Sequence, residues 1–119
     1  MKIKAINPTN GETLREYDEM SLQEVGDSIQ ESDHAFLDWR KTSFAERANC
    51  LRKAAGILRS RAGDYARLMA LEMGKPIQDG KSEAEKCAWA CDYFAENGEQ
   101  FLLPEIVITD AQKSYVAFM

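Results

Sequence analysis

Gly74-Lys75-Pro76 divides the most regular part of this chain into two helical stretches and fixes where each must turn. Before it, Phe44, Ala48, Leu51, Ala55, Leu58, Ala62, Tyr65 and Met69 recur in steps of four and three, as one helix face requires. After it, Ile77, Gly80, Ala84, Cys87, Cys91, Phe94, Gly98 and Phe101 do the same. Glycine lacks the Cβ that clashes in the left-handed conformation, so Gly74 is suited to closing the first stretch. Lys75 places a cation near that helix's carbonyl end, and Pro76 opens the next helix rather than continuing the last. Gly56 and Gly63 weaken the first stretch, which predicts two helices with a break near Ser60 to Gly63.

The flanks supply the other elements. Lys2 to Ile6 alternates charged and apolar residues, Asn7-Pro8-Thr9-Asn10-Gly11 is dense in turn formers, and Glu12 to Tyr17 reads as a returning strand. Ser21-x-x-Glu24 and Ser43-x-x-Glu46 are capping boxes that start two helices. Leu22, Val25, Ile29, Phe36 and Trp39 form the apolar stripe of the first. In the last long helix Trp89 and Tyr93 lie one turn apart on a second side, which implies cover on more than one face. Glu105 to Thr109 and Ser114 to Met119 read as a terminal hairpin around a turn at Asp110 to Lys113. A sequence ending on unpaired apolar strand residues is expected to be part of something larger.

Charge and cysteine usage narrow the function classes. The net charge of −5 is unevenly placed, at −6 over residues 1–38, +6 over 39–75 and −6 over 76–110. A basic band between two acidic ones predicts compensation between neighbouring helices, not a nucleic-acid surface. No run reaches the roughly 20 apolar residues of a membrane span, and the first residues lack a secretory h-region, so a cytoplasmic protein is expected. Cys50, Cys87 and Cys91 are an odd set without a disulfide pattern, and His34 stands far from them in sequence, so no metal site is expected. Buried, inert thiols are the expectation. Redox chemistry at Cys87 and Cys91 would need a lowered thiol pKa, which nearby Lys86 favours but Asp92 and Glu83 oppose.

Four separated motifs resemble one family. Asn7-Pro8-Thr9-Asn10-Gly11-Glu12 is similar to the Asn-Pro-x-x-Gly-Glu opening of aldehyde dehydrogenases. Phe36-x-x-Trp39 with Glu46-Arg47, and Glu72-x-Gly74-Lys75-Pro76 with Glu83, follow in the family's order. The run from Glu85 to Asn97 resembles the succinate-semialdehyde dehydrogenase branch. The resemblance implies an α/β enzyme, of which residues 1–103 form the first part of the nucleotide-binding domain as a hairpin and a helical layer. Residues 104–119 then begin the sheet used in homo-oligomerisation, and the catalytic domain is absent.

In such an enzyme a cysteine thiolate attacks a small aldehyde, hydride passes to NAD or NADP, and water releases the acid. The motifs for the nucleophile, the general base and the nucleotide turn do not occur in these 119 residues. No catalytic or cofactor-binding residue is therefore assigned, and the chain alone is expected to be inactive and to bind no cofactor. One contribution is implied by resemblance: the helix holding Glu83–Asn97 borders the family's aldehyde tunnel. Lys86 would attract the carboxylate of a short semialdehyde there and Trp89 would shape the wall. The alternative placement puts Lys86 on a solvated surface and Trp89 in the core. A second reading of the whole chain is a non-enzymatic helical interaction module derived from the family.

Overall fold

The computed structural model describes residues 2–117. Its order is β1 (Lys2–Ile6), β2 (Thr13–Asp18), α1 (Leu22–Trp39), α2 (Phe44–Ser60), α3 (Ala62–Met73), α4 (Ile77–Phe101), β3 (Glu105–Ile106) and β4 (Tyr115–Val116). The expected hairpin, four helices and second hairpin are all present.

β1 and β2 pair antiparallel from Lys2↔Asp18 to Ile6↔Thr13, with a register shift between Ala5 and Ile6. Lys2 and Lys4 both reach Glu16 across the pair, at 3.2 and 2.9 Å. The turn is held by backbone bonds from Gly11 to Asn7 and from Asn7 to Glu12. The buried Asn7 side chain accepts from the Thr9 N–H at 2.9 Å. Gly11 carries the positive φ, at +74°.

Both capping boxes form. The Ser21 hydroxyl accepts from the Glu24 N–H while the Glu24 carboxylate accepts from the Ser21 N–H, and Ser43 and Glu46 repeat the exchange. The long stripe breaks at Arg61, inside the expected window, with α3 starting at the next residue. Gly63 lies within α3, so the break belongs to Arg61 and not to a glycine. Gly74 closes α3 at φ +69°, donating to Ala70 O at 3.1 Å.

The core is a seam of small side chains. Gly80, Ala84, Ala88 and Ala95 of α4 are buried, together with Ala55 of α2 and Ala66 of α3. At about 1.5 Å per residue, the 25-residue α4 is long enough to pack along α3 and then α2. Those two helices touch each other only slightly. At Gly80 the approach is so close that a Cβ would lie 2.8 Å from the Ala66 Cα. Ala88 and Ala95 belong to this seam although the larger neighbours at Cys87 and Phe94 suggested a stripe one residue away. The smallest side chains permit the shortest helix separation, and that decides which face turns inward.

Several expectations are corrected. The α1 stripe of Leu22, Val25, Ile29, Phe36 and Trp39 is exposed, and α1 has no buried residue. None of the described large side chains is fully buried. The radius of gyration is 20.8 Å, against about 13.5 Å for a compact chain of this length. α1 and both hairpins pack little on the α2–α4 layer, which leaves the chain extended and the α1 stripe uncovered. The thiols of Cys50 and Cys87 are exposed and Cys91 is partly so, because the inward positions are taken by Ala55 on α2 and by Ala88 and Ala95 on α4. Among the described residues the second hairpin pairs at Glu105↔Val116 and Ile106↔Tyr115, and Ile108 stands outside the ladder. With one neighbouring strand each, β3 and β4 have no sheet to extend into. Phe118 and Met119, the end of the expected returning strand, lie outside the described residues.

Candidate functional site on the outer face of α4

Residues three and four apart on a helix share a face. Ser82, Lys86, Trp89 and Tyr93 therefore stand together on α4, on the side opposite Ala84, Ala88 and Ala95. The alanine seam turns this face outward, so both sequence-derived candidates are exposed. Trp89 is 61% exposed and is not a core residue. Its indole stacks on Tyr93, with ring centroids 5.7 Å apart and planes 26° apart. Tyr93 in turn meets Phe101 at 6.0 Å and Phe94 edge-on at 5.5 Å.

The charges around Lys86 are already committed. Glu83 pairs with Lys75, across the Gly74–Pro76 corner. Glu85 and Asp92 both bind Arg59 of α2, at 2.9 and 2.7 Å, and these two carboxylates hold the Arg59 guanidinium above its usual pKa range. Lys86 forms no ion pair or hydrogen bond with the described residues, which leaves an ammonium free to meet an external anion. These pairs join the basic band to the acidic band of residues 76–110, whereas the acidic band of residues 1–38 meets it only in the local Lys41–Asp38 pair. The Lys75–Glu83 contact was not legible, because it depends on how α4 leaves the corner.

Lys86 lines a shallow depression with Ser82, Glu83, Cys87 and Ala90, all from α4. Trp89 stands beside this depression and does not line it. A wall from one helix is a surface, and enclosing a substrate there requires a second element. A groove of about 540 Å³ lies elsewhere, between the start of α2 and the end of α4, lined by Phe44, Arg47, Leu51, Phe94, Glu99 and Leu102 among others. It contains no thiol, hydroxyl or histidine, and the Arg47 guanidinium lies over the Phe44 ring at 4.5 Å.

A dinucleotide's phosphates would meet carboxylates at the helix starts of this chain. Such phosphates need helix N-termini or glycine turns with free N–H donors. Each helix here instead carries a carboxylate in its first turn, at Glu24, Glu46, Asp64 and Asp79, and α1 and α2 satisfy N–H groups with their own capping serines. Among the described residues no group of three or more His, Cys, Asp or Glu side chains is placed to hold a metal ion. Nor is any helix long and apolar enough to cross a membrane.

Comparison with known proteins agrees with the fold. The probable NADP⁺-type succinate-semialdehyde dehydrogenase of Synechocystis is 40% identical over 118 residues, which is 99% of this chain and 26% of that protein. The succinate-semialdehyde dehydrogenase [NADP(+)] 1 of Mycobacterium tuberculosis is 41% identical over 105 residues, covering 88% of this chain and 23% of that protein. The crystal structure of succinic semialdehyde dehydrogenase from Streptococcus pyogenes in complex with NADP⁺ superimposes with a TM-score of 0.88 at 31% identity. That superposition covers 94% of this chain and 25% of the other. The chain thus spans about a quarter of the length of these relatives, corresponding to their N-terminal part. The pattern of the aldehyde dehydrogenase family matches residues 1–119 throughout, and the chain belongs to that family.

Proposed function

We propose that this chain is the N-terminal part of an NAD(P)-dependent aldehyde dehydrogenase that oxidises a short aldehyde bearing a carboxylate, of the succinate-semialdehyde kind. The observation that carries the reading is the free ammonium of Lys86. It stands on an outward helix face whose neighbouring carboxylates are engaged by Lys75 and Arg59. Trp89 supplies an apolar wall beside it, and a low-dielectric wall strengthens a charge–charge contact. The residues of the chain orient the substrate's far end; the bond-making groups and the cofactor belong to the remainder of the enzyme. Residues 1–103 then form the N-terminal part of the nucleotide-binding domain, and residues 104–119 begin a sheet shared between subunits in a cytoplasmic homo-oligomer.

Two measurements test this reading. The 119-residue chain, mixed with succinate semialdehyde and NAD or NADP, should form no reduced cofactor; robust turnover overturns it. In the complete enzyme, Lys86→Ala should raise KM for a carboxylate-bearing aldehyde about tenfold, as loss of a charge-assisted contact would, and leave a neutral aldehyde of similar length little changed. Equal effects on both remove Lys86 from the site.

The exposed apolar residues of α1 favour a second reading, an interaction module without catalysis. Light scattering after size exclusion separates the two: a discrete closed oligomer supports the module, and polydisperse association supports a part of a larger enzyme.

A further inference from the structure

Resting on the site reading above, we infer that Tyr93 is a positioning residue for substrate specificity, acting through Trp89 on the contact between Lys86 and the substrate carboxylate. An exposed tryptophan on a helix ordinarily samples several rotamers. Here Tyr93, one turn further on, stacks against the indole at 5.7 Å, and Phe94 and Phe101 brace the Tyr93 ring from two other directions. The row Trp89, Tyr93, Phe101 fixes the indole one turn from Lys86. Held in that place, the indole would keep water from the flank of a carboxylate that binds Lys86, and the arriving charge would be less screened. A neutral aldehyde gains nothing from this effect. The row therefore selects a substrate by its charged far end and not by its reacting group.

The stack, and not the phenol, carries the effect, so Tyr93→Phe should behave as the wild type while Tyr93→Leu should not. In the complete enzyme, Tyr93→Leu should raise KM for succinate semialdehyde roughly three- to tenfold, the scale of one aromatic pair. Its kcat and its KM for a neutral aldehyde of similar length should stay unchanged. In a Lys86→Ala background the same substitution should have no further effect on the ratio of the two KM values.

A structural readout comes from the 119-residue chain carrying Trp39→Phe, which leaves Trp89 as the sole indole. Its fluorescence anisotropy should fall with Tyr93→Leu and hold with Tyr93→Phe, at constant far-ultraviolet dichroism. The two ideas fail separately. If Lys86→Ala leaves the charge preference intact, the site reading falls. If Lys86→Ala abolishes it but Tyr93→Leu changes neither anisotropy nor the KM ratio, the positioning inference alone is overturned. A fall in kcat, or equal losses for Tyr93→Phe and Tyr93→Leu, also overturns it.

Discussion

Gly74 and Pro8 meet although 66 positions separate them: a Cβ built on Gly74 would lie 3.3 Å from the Pro8 Cγ. The turn of the first hairpin therefore rests on the corner between α3 and α4. Two of the family motifs, Asn7-Pro8 and Gly74-Lys75-Pro76, are thus two sides of one contact. A side chain at position 74 would press on the proline ring, which would have to give by a few tenths of an ångström.

Gly74→Ala should consequently destabilise the chain for two reasons. The left-handed φ of +69° costs an alanine about 1–2 kcal/mol, and the methyl group presses on Pro8. Gly56→Ala is the matched control, since that glycine lies inside α2 with open space around its Cβ position; it should stabilise by about 0.5–1 kcal/mol. Urea denaturation midpoints should move in opposite directions for the two variants.

Gly80→Ala should be more harmful than its helical location suggests. The new Cβ would stand 2.8 Å from the Ala66 Cα and 3.0 Å from its Cβ. Backbone cannot swing aside as a long side chain can, so α3 and α4 must separate, at a cost of about 1–3 kcal/mol. Gly98→Ala on the same helix meets nothing within 4 Å and should be stabilising. If both glycines tolerate alanine equally in thermal unfolding, the close approach at Gly80 is absent.

The capping boxes predict an acid-sensitive component of stability. The Ser21 N–H and hydroxyl hold the Glu24 carboxyl below its usual pKa, and Ser43 does the same for Glu46. A carboxyl with a lowered folded pKa contributes stability above its unfolded pKa and loses it as pH falls through the folded one. Denaturation midpoints of the wild type should decline between about pH 5 and pH 3. Glu24→Gln with Glu46→Gln keeps a hydrogen-bonding residue at both places and should decline less. Lys4 and Lys2 lower Glu16 in the same sense, so some decline should remain in the double variant.

Local chemistry in the sequence was a good guide to where elements begin and end. Ser21, Ser43 and Gly74 each carry a signal confined to a few neighbouring residues, and Arg61 fell inside a window drawn from weak helix formers. The inward face of α4 was harder to read. Periodicity weights large apolar residues, whereas the buried positions are Gly80, Ala84, Ala88 and Ala95, chosen by how closely two backbones can approach. The same mistake of emphasis placed the α1 stripe, Cys50 and Cys87 inside. At the candidate site, Lys86 and Trp89 were legible as a pair because they share one helix. The engagement of Glu83 by Lys75 and of Glu85 by Arg59 was not, since both depend on tertiary placement of other helices.

The alanine seam inverts the usual map of mutational tolerance. An ordinary core of leucines and phenylalanines can absorb a substitution by repacking rotamers. Alanine and glycine have no rotamers to repack, so the seam offers one geometry and no second solution. Variation should be tolerated least at the smallest residues of this chain and most at several of its largest. A saturation library scored for folding would show that gradient as intolerance at Ala55, Ala66, Gly80, Ala84 and Ala88 beside permissive Leu22 and Ile29.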